Sequence, residues 1–182
     1  MSKQLLYIIY SVTKQMRVIS IILFLNNSYA KLYDSKIISF MYPDEYTEIR
    51  DYADKTGIYI ALTSKEDNVI TVKILNSFDG LLKVAKRNVQ ETKKTLRRYS
   101  VGKSKFDLPD NNKYQGAEEL LEKFNISIFF QNVLTFRHYI YKKYKNKYIV
   151  IIVQGVDEDY SEVMQKANPI ILSIFSSIRL KE

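Results

Sequence analysis

Cysteine is absent from the 182-residue chain, histidine occurs once, and there are only three prolines and five glycines. Without a thiol there is no disulfide framework, no thiolate nucleophile, no Cys-ligated zinc or iron-sulfur centre, and no cysteine to carry a lipid. A lone histidine, His138, populates neither a catalytic triad nor a His-based metal site, and its place between Phe136 and Ile140 on one strand parity reads as structural. The scattered glycines form no phosphate-cradling loop. So little Pro and Gly, beside 46% hydrophobic and 26% charged residues, fits a folded chain and not a solvating tail. With no cross-link, burial alone has to hold the fold, and at this length roughly two thirds of the unfolded surface can be buried in one domain.

The sequence also lacks about 20 uninterrupted apolar residues near its start, which a membrane span needs. What it has there is a short apolar run, residues 18–25, preceded by Lys14 and Arg17 and followed by Asn26, Asn27, Ser28, Tyr29 and Ala30. A positive stretch, an apolar core and small residues at 28 and 30 are the order of a secretory signal cut after Ala30. The expectation is a signal peptide over 1–30, with residues 1–15 read as a misplaced start if Met16 is the true one, and a single domain over 31–182. Such a protein is exported, periplasmic or secreted, and is not a transmembrane protein. Losing Lys3, Lys14 and Arg17 lowers the formal charge from +8 to +5, a modestly basic domain.

Along the remaining chain, Ile38 to Tyr42 alternate as a strand that stops at Pro43, beside the turn residues Asp44 and Glu45. Gly57 to Leu62 and Val69 to Leu75 predict a hairpin. From Phe78 to Arg98 the period changes: Leu82, Ala85, Val89, Thr92 and Leu96 make one apolar stripe, with Asn76, Ser77 and Asp79 placed to cap a long helix. A loop or short strand with Gly102 and Pro109 follows. Residues 119–130 read as a strand on the period-two line of Leu120, Phe124, Ile126, Ile128 and Phe130. Gln131 and Asn132 are then the turn into a second strand from Leu134 to about Tyr144, and Tyr148 to Val153 complete an antiparallel meander. The acids Asp157, Glu158, Asp159 and Glu162 suit the start of a helix, whose dipole favours them there, and lack the spacing of a calcium loop. Asn168-Pro169 reads as a cap and restart, or a kink, in a helix with Ile171, Ile174, Phe175 and Ile178 on one face.

This order, with the opening Ile38-Ser39-Phe40-Met41-Tyr42-Pro43 strand, the long helix after two strands, the late meander and the closing Ile171-Leu172-Ser173-Ile174-Phe175-Ser176-Ser177-Ile178, resembles the PsbP-like fold over residues 36–180. The resemblance implies an α+β fold, a three-layer α/β/α sandwich around an antiparallel sheet, used as a binding or assembly module. It carries over no functional residue.

Two basic stretches remain. The helix carries Lys83, Lys86, Arg87, Lys93, Lys94, Arg97 and Arg98 against the single acid Glu91, a face that attracts an acidic protein or an anionic membrane surface. From Arg137 to Tyr148, Tyr139, Tyr141, Tyr144 and Tyr148 alternate with lysines. That pattern superficially suits single-stranded nucleic acid, but export argues against it and a hairpin with one exposed Tyr/Lys face accounts for it. The candidate interaction surface is therefore Lys83, Lys86, Arg87, Lys93, Lys94 and Arg97 with Arg137, Tyr139 and Tyr141. No cofactor, metal or catalytic residue is expected. The leading function is an exported, non-enzymatic binding or assembly module; the alternative is a cell-envelope hydrolase using carboxylates converging in a cleft.

Overall fold

Ile, Val, Tyr and Phe fit a pleated, half-buried surface, and strands take up about half of the described residues. A computed structural model describes residues 30–181 apart from 37, 45, 64–68, 98, 110–113 and 129–130, and at 48–52, 54 and 128 the backbone alone. The signal expected over 1–30 lies outside the described residues except for Ala30. Two compact units divide the chain, Met1–Asp44 with Ile174–Glu182, and Glu45–Ser173.

In the first unit, strands β1 (Ala30–Asp34), β2 (Ile38–Pro43) and β11 (Arg179–Leu180) form an antiparallel sheet in the order β1-β2-β11. Alternation along β2 buries Ile38 and Phe40 completely, and Tyr33 stacks on Phe40 with ring centroids 5.0 Å apart. The Met41 amide donates to Ser177 Oγ at 2.8 Å.

The second unit contains β3 (Thr47–Asp54), β4 (Gly57–Thr63), β5 (Val69–Leu75), helix α1 (Leu81–Thr95), β6 (Ser100–Val101), β7 (Lys105–Asp107), β8 (Glu118–Ile128), β9 (Gln131–Tyr144) and β10 (Lys147–Val156). A 3-10 turn, Asp157–Asp159, then leads into helix α2 (Tyr160–Ser177), whose first fourteen residues belong to this unit. Its sheet is antiparallel, in the order β3-β4-β5-β10-β9-β8-β6, with β7 also paired to β8. Period-two alternation sorts the side chains to two faces. Val150, Ile152 and Tyr139 pack under Leu81, Val84 and Ala85 of α1. On the opposite face Phe136 meets the Tyr160 ring edge-on at 4.8 Å. Helices thus cover both faces of the sheet of this unit, the α+β layering expected of the sequence. Gly57 is required where β4 meets β5, since a Cβ there would lie 2.2 Å from the Ile74 carbonyl oxygen.

Several local expectations need correction. Thr47–Asp54 is a strand that the sequence reading passed over. Helix α1 is shorter than residues 78–98, and its N-cap is Gly80 at φ 99° with no side-chain cap bond; Asp79 instead pairs with Lys83 at 2.7 Å. The buried stripe is Leu81, Val84, Ala85 and Asn88, so Leu82 faces solvent at 45% exposure. Strand β9 begins at Gln131, with Ile128 opposite Gln131, where a turn at Gln131–Asn132 was expected. Helix α2 runs through Pro169 without a restart. Finally, Arg137 and Tyr139 do not lie on an exposed Tyr/Lys face: they are 5% and 0% exposed, beneath α1.

Candidate functional site

Charged and amide side chains rarely sit on a core face unless they are paired, and in this sheet one group of them lies under α1. Strand pairing brings Glu122 of β8 opposite Arg137 of β9, and Arg137 opposite Gln154 of β10. Glu122 is 1% exposed and accepts from three side chains. Its Oε2 accepts from Tyr139 Oη at 2.6 Å and from Arg137 Nη1 at 3.3 Å, and its Oε1 accepts from Ser104 Oγ at 2.7 Å. Arg137 Nε donates to Gln154 Oε1 at 2.8 Å, its Nη2 donates to Thr92 Oγ1, and its guanidinium lies 4.5 Å from the centre of the Phe124 ring. Asn88, at the buried stripe of α1, donates through Nδ2 to Tyr139 Oη at 3.4 Å and accepts at Oδ1 from Lys73 Nζ at 2.6 Å. Burial, and next the Glu122 charge, push the Tyr139 phenol well above its ordinary range. Burial also lowers Lys73, against the field of Glu91.

Beside this network, between the C-terminal half of α1 and strands β4, β5 and β10, opens a cleft of about 390 Å³. Lys73 lines one end of its floor and Gln154 the other. Ile152 and Thr71, cross-strand partners, lie between them, and Tyr59, Ala61 and Leu96 supply apolar wall. Glu91 is the single carboxylate of the lining.

The opposite face holds a second buried cluster. Glu119 Oε2 lies 2.8 Å from His138 Nε2, His138 Nδ1 lies 3.1 Å from Tyr160 Oη, and Tyr114 donates its hydroxyl to Asn168 Oδ1. His138 is 2% exposed, the structural position its parity suggests.

Of the sequence candidates, Lys83, Lys86, Arg87, Lys93, Lys94 and Arg97 are exposed on α1 and its C-terminal turn. Arg137 and Tyr139 belong to the buried network. Tyr141 is half-buried, stacked on Phe78 at 3.9 Å, and burial raises its phenol. Sequence reasoning missed Lys73, Asn88, Glu122 and Gln154. The available signal was a polar or charged residue at core parity in an apolar line, clearest for Glu122 between Leu120 and Phe124 on the period-two line of β8.

Among the described residues, no helix is long and apolar enough to cross a membrane. No family model matches the chain, and no curated protein matches it. Among solved structures, it is similar to the solution structure of the PsbP of the cyanobacterium Synechocystis, at 10% identity and TM-score 0.48, over 84% of this chain and 93% of that one. It is also similar to the crystal structure of LpqN, involved in cell envelope biogenesis of Mycobacterium tuberculosis, at 13% identity and TM-score 0.32, over 80% and 83% of the two chains.

Proposed function

We propose that the chain is an exported, non-enzymatic binding or assembly module that docks an acidic partner through the outer face of α1. The observation that carries this reading is the unbalanced charge of that face. Asp79 engages Lys83 at 2.7 Å and lies 3.8 Å from Arg87, whereas Lys86, Lys93, Lys94 and Arg97 make no ion pair among the described residues. An acidic protein surface suits the helix better than a bilayer, because the apolar stripe that would enter a membrane interface is already packed on the sheet. The hydrolase alternative needs converging acids, and the cleft is lined by Glu91 alone, with Glu122 held behind Arg137.

Binding of a poly-glutamate peptide to the protein should weaken steeply with added salt. Reversing Lys86, Lys93 and Lys94 to Glu should lower the affinity by on the order of a hundredfold, since like-charge juxtaposition costs several kcal/mol. Equal affinity in that variant, with its circular dichroism unchanged, would sink the docking reading; tighter binding to anionic vesicles than to the peptide would replace the protein partner with a membrane. A signal cut after Ala30 predicts that protein recovered from the cell envelope begins at Lys31, and intact mass measures that directly.

A further inference from the structure

Lys73 is the one cation of the network under α1 that has no carboxylate at ion-pair distance among the described residues. Arg137 is balanced by Glu122, whose hydrogen bonds go to Arg137, Tyr139 and Ser104 and not to Lys73. Lys73, 9% exposed, makes its hydrogen bond to a neutral amide oxygen, Asn88 Oδ1, and has the Tyr59 ring 5.2 Å from its Nζ. Glu91 acts on it through space only. A buried ammonium in this setting is costly unless an anion pairs with it.

From this charge imbalance and the shape of the cleft we infer that the cleft is a binding site for a small monocarboxylate with an apolar body, its carboxylate on Lys73 Nζ. The cleft volume, about 390 Å³, falls in the range of small-molecule sites. One uncompensated positive charge matches one negative charge. A phosphate monoester, with a charge of about −1.5 to −2 at neutral pH, would bring a second charge beside Glu91. Behind the head group, the apolar body lies along Ile152 with Ala61 and Leu96 as walls. Lys73 faces Val150 across the strands, so Gln154 lies four residues further along β10, roughly 13 Å away at strand rise. The carbonyl oxygen of Gln154 is taken by Arg137, and its Nε2 has no partner among the described residues. The far end of the cleft therefore offers a neutral donor and no second ion pair.

Isothermal titration of the full chain with octanoate, octyl phosphate and octylamine tests this. Octanoate should bind saturably with a stoichiometry of one, octyl phosphate at least tenfold more weakly, and octylamine not at all. Lys73→Gln should lower octanoate affinity at least tenfold. Ala61→Phe, which fills the apolar wall and leaves the lysine in place, should abolish binding and so covers the case in which the Lys73 variant does not fold. Absence of saturable octanoate binding, equal binding of octyl phosphate or octylamine, or native-like affinity in both variants overturns the proposal. The inference is independent of docking by α1: a buried head group keeps octanoate bound at ionic strengths that release an acidic partner from an exposed helix face, so the two readings fail separately.

Discussion

Replacing Glu122 with Ala should lower the free energy of unfolding by about 3–5 kcal/mol, the usual cost of removing one member of a buried, hydrogen-bonded ion pair. Three donors converge on this carboxylate: Arg137, Tyr139 and Ser104. Truncation leaves the Arg137 guanidinium, 5% exposed, without a counter-charge, and leaves the Tyr139 hydroxyl without its acceptor. The arithmetic changes if both charges go. Glu122→Leu combined with Arg137→Met should recover most of the loss, because well-packed apolar replacements of a buried pair are often neutral or stabilising. Urea unfolding followed by circular dichroism gives the comparison: the single variant should shift the midpoint strongly at unchanged slope. A single-variant cost below about 1 kcal/mol, the level of an exposed pair, would mean that water reaches the network and that it is not the packed floor described above.

The parts of the fold that were legible in the sequence are those in which one period dominates. Gly57–Thr63 and Val69–Leu75 are short β-rich runs bounded by turn residues and pair as the expected hairpin, and the acids of residues 157–159 and 162 do precede and open α2. The polar floor was not legible, and the reason is register. Strand pairing has a period of two residues, so a turn placed at Gln131–Asn132 puts Arg137 opposite Ile126 and Glu122 opposite Tyr141. With Ile128 opposite Gln131, the same residues become the cross-strand pair Glu122 and Arg137. The two registers differ by four residues, an even number, so every side chain keeps its correct face while every partner is concealed. Helix α1 posed the complementary problem. Reading Leu82 as the first residue of the stripe rotates the helix by about one position, enough to leave Asn88 outside it.

The two faces of α1 have different chemistry for a reason that lies in its neighbours. Its inner face ends the apolar cluster at Ala85 and then meets Lys73 and Arg137, so Asn88 and Thr92 replace aliphatic residues where the sheet floor turns polar. Thr92 Oγ1 also donates back to the Asn88 carbonyl at 2.8 Å, which ties the side chain that receives Arg137 to the helix itself. The cleft is therefore a consequence of composition: smaller polar side chains on the C-terminal half of α1 fill less of the space above β5 and β10 than Leu81 and Val84 do at its start.

Stability should fall steeply above pH 10, and two buried phenols are the cause. Tyr139 and Tyr114, 0% and 4% exposed, both have ionisation pushed well above the ordinary 10.0. For each, burial is the larger cause and a carboxylate the next, Glu122 for Tyr139 and Glu119 for Tyr114. Below pH 10 both states keep these protons, and the contribution is fully present. Above it the unfolded chain releases protons that the folded chain retains, so the stability decreases by about 1.4 kcal/mol per pH unit for each tyrosine, about 2.7 for the two. Lys73 has the opposite sign. Its folded value lies below 10.5, so as pH rises towards 10.5 the unfolded chain holds a proton that the folded chain gives up, and stability rises. Urea midpoints taken across this range should therefore pass through a shallow maximum before the fall. Lys73→Met should flatten the rise, while Tyr114→Phe should roughly halve the slope of the fall. Phenolate absorbance from the last two tyrosines should appear together with loss of the circular dichroism signal. Complete ionisation of all fifteen tyrosines while the protein remains folded would show that the α1 network and the cluster around Tyr114 are open to solvent, and would remove the charge argument for Lys73 along with them.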